Sequence, residues 1–69
     1  MAEITIQVNG EPRDVTDGLN IEELLRTLDL QPRMIVVEHN GDILRRERYA
    51  EVSIASGDSL ELVQFVGGG

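Results

Sequence analysis

The residues with the clearest chemical potential are three consecutive glycines, Gly67, Gly68 and Gly69, at the C-terminal end of the sequence. Glycine has no side chain and adopts a wide range of backbone angles, so this segment can extend from a folded body into a narrow channel of another protein. An α-carboxylate has a reference pKa of about 3.3–3.7 and is ionised at neutral pH. It can attack the α-phosphate of ATP to give an acyl-adenylate, from which a sulfur nucleophile would displace AMP and leave a thiocarboxylate. The alternative is a frayed terminus without a role.

Other reactive groups are scarce in this sequence. The 69 residues include no cysteine, which excludes disulfides, thiolate nucleophiles and cysteine metal sites. The single histidine, His39, follows an apolar run, and we interpret it as a packed or rim side chain. A chain this short buries only about 60% of the surface that its unfolded form exposes, so a deep catalytic cleft is not expected. These features favour a carrier, a binding module or a subunit over an enzyme.

The charge balance argues against nucleic acids as partners. Thirteen acidic residues stand against six basic ones, all arginine, for a formal net charge of −7. Nucleic-acid binding depends on neutralising phosphates with basic side chains, so a chain of this charge would be repelled. An acidic surface instead suits a basic docking face on another protein. We expect no membrane contact and a cytoplasmic location, because no apolar stretch approaches the roughly 20 residues of a membrane span and no secretory signal is visible.

A β-hairpin near the N-terminus is the first element of the predicted body. Residues 3–8 alternate between polar and apolar side chains, which is typical of a half-buried strand. Asn9-Gly10 follows and predicts a two-residue hairpin turn. The return strand, about residues 11–15, contains Pro12. Because proline cannot donate to a central ladder, we expect this strand at a sheet edge.

A short amphipathic helix is predicted next. Asn20 is a suitable N-cap, and Glu23 three residues later gives the pattern of a capping box. We expect the helix to run for about nine or ten residues, until Pro32 stops it. Its apolar stripe, at positions i, i+3, i+4 and i+7, is Ile21, Leu24, Leu25 and Leu28.

A second hairpin and a final strand complete the predicted fold. The apolar run 34–37 leads to a second Asn-Gly pair, Asn40-Gly41, and the last strand spans residues 60–66, while residues 45–51 suggest no more than one helical turn. This order predicts an α+β fold of β-grasp type, a mixed sheet with one main crossover helix on one face and the first and last strands parallel in its middle. Residues 1–66 would form this domain and residues 67–69 a flexible tail. The predicted core joins the helix stripe to Ile4, Ile6, Val8, Leu60 and Leu62.

Alternation divides the last strand between the core and the open face of the sheet. If Leu60 and Leu62 face the helix, Val63 and Phe65 point away from it. Val36 would lie beside them on a neighbouring strand, and an exposed apolar patch of this kind often marks a partner site. The alternative is that Phe65 caps the edge of the core. The predicted docking residues are Phe65, Val63, Val36 and Gly67.

Several short motifs carry a resemblance that covers essentially the whole chain. Taken together they resemble the sulfur-carrier proteins of thiamine biosynthesis, the ThiS family, which are small ubiquitin-like β-grasp proteins. A Gly-Gly end is shared by many ubiquitin-like carriers, whereas its combination with short length, a Gly-Asp turn and a Phe-Val-Gly-Gly-Gly ending is more specific. The motifs are Asn40-Gly41-Asp42-Ile43-Leu44, Arg46 with Tyr49-Ala50, Gly57-Asp58, and residues 63–69.

The resemblance implies a cycle of reactions carried out by other enzymes. A ThiF-like adenylating enzyme would use ATP and magnesium to activate the carboxylate of Gly69, and this chain itself would bind no cofactor. Sulfur from a cysteine-derived persulfide, supplied by a donor such as a cysteine desulfurase, would convert the adenylate to a thiocarboxylate. A ThiG-like thiazole synthase would then take that sulfur into the thiazole ring. Gly68 and Gly69 match the Gly-Gly terminus of the family.

Three other functions are compatible with a β-grasp body and a glycine tail. The small subunit of molybdopterin synthase is similar in fold and tail, although such chains are usually longer and often carry prolines ahead of the Gly-Gly end. A protein modifier would form isopeptide bonds through Gly69. An interaction domain would carry the glycines incidentally.

Overall fold

The computed structural model describes residues 2–64, which form a five-stranded mixed sheet with one α-helix packed on one face. The strand order is β2-β1-β5-β3-β4, with β1 and β5 parallel in the middle and the other neighbours antiparallel. The predicted α+β, β-grasp architecture is therefore confirmed. The elements are β1 (Glu3–Val8), β2 (Glu11–Thr16), α1 (Ile21–Thr27), β3 (Ile35–His39), β4 (Asp42–Leu44) and β5 (Ser59–Gln64), with 3-10 turns at Pro32–Met34 and Arg46–Arg48.

Both hairpins turn on the Asn-Gly pairs that the sequence predicts. Asn9 and Gly10 have φ values of 53° and 84°, and Asn40 and Gly41 have 52° and 91°. Positive φ at both central positions matches the right-handed twist of the flanking strands, and asparagine and glycine are the residues that adopt it most readily. The strand containing Pro12 is β2, which lies at the edge of the sheet as expected.

The helix begins as predicted but ends earlier. Asn20 and Glu23 form a complete capping box, in which each side chain accepts a hydrogen bond from the other residue's backbone N–H. The helix has seven residues rather than nine or ten. Asp29 takes a left-handed conformation, with φ at 66°, and the N–H of Leu30 donates to the carbonyl of Leu25 at 2.9 Å. The chain has thus reversed before Pro32, so the prediction that Pro32 stops the helix is wrong.

The core lies between the helix and the inner face of the sheet. Five predicted core residues are fully buried, and the other four, Ile4, Val8, Leu28 and Leu62, pack partly buried around them. The sequence missed Tyr49, which is buried after the second 3-10 turn and donates its hydroxyl hydrogen to the carbonyl of Ile35 at 2.7 Å. Within residues 2–64 no helix is long and apolar enough to cross a membrane. The fully buried predicted residues are Ile6, Ile21, Leu24, Leu25 and Leu60.

Candidate functional site

The predicted tail follows directly from the sheet's central strand, β5. On one side β5 pairs in parallel with β1, and on the other it pairs antiparallel with β3, with Gln64 opposite Ile35 at its end. The pairing with β1 covers only Ser59 and Leu60, so at Gln64 the ladder holds β5 through β3 alone. On the other side the side-chain amide of Asn9 bonds the backbone of Leu62. Four predicted site residues lie outside the described part of the chain, and their roles stay predictions: Phe65, Gly67, Gly68 and Gly69.

The open face of the sheet carries exposed apolar side chains beside the end of β5. Val36 and Val63 are directly opposite each other in the β3–β5 ladder, and their exposed fractions are 42% and 59%. The structure therefore brings these two residues together where a partner can reach them. Directly opposed β-branched side chains on one face are in contact distance of each other. Their docking role stays a prediction.

A third exposed apolar residue extends this face and was not predicted. Ile43 of β4 is 66% exposed and lies opposite Glu38, on the same side of the sheet as Val36. Alternation along β4 could have predicted this exposure. Leu44 packs against the core, so the preceding side chain, Ile43, faces the opposite side of the sheet. We call Val36, Val63 and Ile43 the open-face patch.

The opposite end of β5 is fixed by a polar network around Asp58. The carboxylate of Asp58 contacts the ring Nε2 of His39 at 2.9 Å and accepts from the backbone N–H of Ala55 at 2.9 Å and from the amide of Asn40 at 3.2 Å. The amide oxygen of Asn40 in turn accepts from the N–H of Ser59. His39 is thus a structural rim residue that joins two turns, which agrees with its interpretation from the sequence.

The same network determines the titration of Asp58. Partial burial raises the pKa of its carboxyl group, but the hydrogen bonds from His39, Ala55 and Asn40 outweigh that effect, so the pKa lies below its ordinary value. A carboxylate with a lowered pKa stabilises the fold above the unfolded-state pKa of about 3.9, and this contribution disappears as the pH falls through the folded-state pKa.

We expect Asp58→Asn to lower the free energy of unfolding by about 1–3 kcal/mol at pH 7, because it removes a charged acceptor from three hydrogen bonds. The difference from the wild type should shrink as the pH falls below about 4. Urea denaturation at pH 7 and at pH 3 measures both effects. The control is Asp42→Asn, on an exposed side chain in β4, which should change stability by no more than about 0.5 kcal/mol. A difference that stays constant between the two pH values would contradict the assignment.

The sheet topology, the single crossover helix and an exposed patch at the root of a glycine-rich segment define a small ubiquitin-like β-grasp protein. The model of the ThiS family matches residues 6–69 of the sequence. The chain is 40% identical over 67 residues to the sulfur carrier protein ThiS of Bacillus subtilis, covering 93% of this chain and 98% of that one. The chain belongs to the ThiS family, and it is a sulfur carrier protein rather than an enzyme.

Two further comparisons extend this result. The crystal structure of the thiamine biosynthesis protein ThiS from Geobacter metallireducens superposes with a TM-score of 0.79 at 38% identity, covering 96% of this chain and 100% of that one. A thiazole synthase of Paramagnetospirillum magneticum is 40% identical over 62 residues, covering 90% of this chain. This chain spans only about a fifth (19%) of that relative's length, so the relative contains a segment similar to this chain within a longer protein.

Proposed function

We propose that this chain, a sulfur carrier protein of thiamine biosynthesis, carries its sulfur on the carboxylate of Gly69. The observation that supports the proposal is the family match, which extends through residue 69 and so includes the glycine segment. Gly69 is the fifth residue after the end of β5 at Gln64. A fully extended segment of that length spans at most about 17 Å, enough to reach into a partner while the sheet stays at its surface.

The proposed cycle uses the active sites of three partners. A ThiF-like adenylating enzyme, with ATP and magnesium as its own cofactors, joins a carboxylate oxygen of Gly69 to the α-phosphorus and releases pyrophosphate. The terminal sulfur of a persulfide, on a donor such as a cysteine desulfurase, attacks the acyl carbon and displaces AMP to give an acyl disulfide. A thiol then attacks the donor's sulfur in that disulfide, which releases the thiocarboxylate and leaves a disulfide between the thiol and the donor. A ThiG-like thiazole synthase then receives the sulfur. One thiazole synthase contains a segment similar to this chain, and this similarity supports a thiazole synthase as the last partner. We place the cycle in the cytoplasm.

Deletion of the gene in its source organism tests this function. We expect the deletion strain to require added thiazole or thiamine for growth, and the wild-type gene to remove that requirement. Loss of molybdenum-enzyme activity with normal thiamine synthesis would indicate the molybdopterin-synthase alternative. A strain that grows normally without either supplement, with no other copy of the gene, would contradict the proposal.

The predicted docking role of Val63 is tested by Val63→Asp. Because this side chain is exposed, we expect little change in folding but a loss of affinity for the adenylating enzyme of about tenfold or more, since a charge would be buried against an apolar surface. Calorimetric titration measures the affinity. Ser56→Asp adds the same charge in the turn before β5, at the far end of the sheet, and should bind like the wild type. Equal affinities for the two variants would show that the open-face patch does not dock the partner.

A further inference from the structure

The open-face patch has two acidic side chains at the end away from the glycines. Glu38 of β3 and Glu61 of β5 are directly opposite each other, two residues from Val36 and Val63 on the same face. Like charges at directly opposed positions destabilise a sheet. The three ion pairs among residues 2–64 involve other carboxylates, so no basic side chain of this part of the chain compensates the pair.

Two basic side chains lie at the other end of the patch. Arg33 and Arg46 line a depression of about 320 Å³ at the edge of the sheet, which is shared by Val36 of the open face and by residues of the core side. Both arginines also line a second depression beside α1, so they stand at the end of the sheet between its two faces. Arg46 is held in place by donating from Nη1 to the carbonyl oxygen of Arg33 at 3.1 Å. Arg33 immediately precedes Met34 and β3, whose first residue, Ile35, faces Gln64. The arginines therefore stand at the end of the sheet from which the glycine segment departs.

The docking face is therefore positively charged at one end of β3 and β5 and negatively charged further along them. In space, the arginines come first, the apolar pair Val36 and Val63 lies next, and the glutamates follow. A partner surface of the opposite pattern would satisfy both ends, whereas the same surface turned through 180° would place like charges against each other. Rim charges of this kind set the orientation of docking and the rate of association more than they add affinity.

We propose that the open face selects a protein partner with an apolar centre, carboxylates opposite Arg33 and Arg46, and basic side chains opposite Glu38 and Glu61. The proposal rests on the proposed function, because it names the surface of the adenylating enzyme that receives the carrier. In this arrangement the partner's carboxylates lie beside the entrance to its catalytic site, into which the glycines pass. Its basic side chains lie further from that entrance, opposite Glu38 and Glu61. The charges thereby orient the carrier so that its terminus points toward the catalytic site.

A second copy of this chain is the competing occupant. A two-fold axis through Val36 and Val63 would also bring the arginines of one copy against the glutamates of the other. The formal net charge of −7 on each copy opposes that pairing, whereas it attracts a partner that is basic around its docking surface. The charge balance of the whole chain therefore favours the heterologous partner.

Charge reversal at each end tests the proposal. We expect Glu61→Arg and Arg33→Glu each to weaken binding to the adenylating enzyme about tenfold or more at low salt, with a smaller difference at about 0.5 M salt, where screening is stronger. The matched controls are Glu3→Arg on the exposed start of β1 and Arg48→Glu in the second 3-10 turn, which change the net charge equally and should bind within about twofold of the wild type. Calorimetric titration and stopped-flow association measure these effects.

Glu61→Arg also separates docking from folding. Replacing one member of the opposed Glu38–Glu61 pair removes a like-charge contact, so the midpoint of urea denaturation should rise while partner affinity falls. A purely structural role predicts that affinity and stability change together. Binding of both reversal variants at wild-type strength would overturn the proposal, as would a dimer of the wild-type chain that either reversal dissociates in sedimentation experiments. If the reversals have no effect while the wild type still acquires sulfur, only this inference fails; if the wild type acquires none, the proposed function fails.

Discussion

A chain shortened to end at Gly67 is expected to acquire no detectable sulfur when incubated with ATP, magnesium, the adenylating enzyme and a sulfur source. Removing Gly68 and Gly69 shortens the reach beyond β5 by about 7 Å. A misplacement of about 1 Å at a reacting atom can already cost about 100-fold in rate, so a loss of at least that size is expected. The yield of thiocarboxylate, measured by intact-protein mass spectrometry, gives the result directly.

The same shortened chain should fold normally, because the described sheet already closes with β5 at Gln64. Urea denaturation should therefore give the wild-type midpoint, which separates a loss of chemistry from a loss of structure. Sulfur acquisition by the shortened chain at the wild-type rate would show that the reaction does not depend on the position of the terminal carboxylate.

The second large effect is expected for Leu60→Ala. Leu60 is fully buried in the central strand β5, and truncating such a side chain leaves a cavity that costs about 2–5 kcal/mol of unfolding free energy. The total free energy of unfolding of a domain of this size is only about 3–10 kcal/mol. We expect the variant to lose roughly half of its free energy of unfolding and its urea midpoint to fall by a similar fraction. Circular dichroism during urea denaturation measures the change.

Val63→Ala, on the same strand, is the matched control for Leu60→Ala. Val63 points to the open face, so its truncation should change the free energy of unfolding by no more than about 1 kcal/mol. Comparable destabilisation by the two changes would mean that the two faces of β5 are assigned wrongly, and with them the docking role of Val63.

The parts of the fold that were predicted correctly depend on short-range chemistry. Asn9-Gly10 and Asn40-Gly41 determine their turns through a backbone conformation that few other residues adopt. Strict alternation in Glu3–Val8 fixes which side of β1 is buried. The parallel pairing of the first and last strands followed from these elements and the single crossover helix.

The parts that were missed depend on contacts distant in sequence. Tyr49 lies in a polar, irregular segment, and only the carbonyl of Ile35, fourteen positions away, supplies the hydrogen bond that lets its hydroxyl be buried. The helix ends at Thr27 because Asp29 reverses the chain, and a left-handed aspartate has no strong sequence signature. Pro32 is a clearer signal for the end of a helix, but it lies beyond the last helical residue, Thr27.

The candidate site was predictable in part for the same reasons. Alternation placed Val36 and Val63 on the open face, and the ladder adds that they are directly opposed. The opposition of Glu38 and Glu61 could not be predicted, because it depends on the register between β3 and β5 rather than on either strand alone.

Fragmentation mass spectrometry of the intact carrier, after incubation with the adenylating enzyme, ATP, magnesium and a sulfur donor, locates the sulfur that the carrier receives. An exchange of oxygen for sulfur adds about 16 Da, and we expect every fragment containing the carboxyl group of Gly69 to carry this increment and every fragment lacking it to have an unchanged mass. An increment located on any residue before Gly69, or an unchanged mass with a partner that is active on its own carrier, would contradict the proposed role of Gly69.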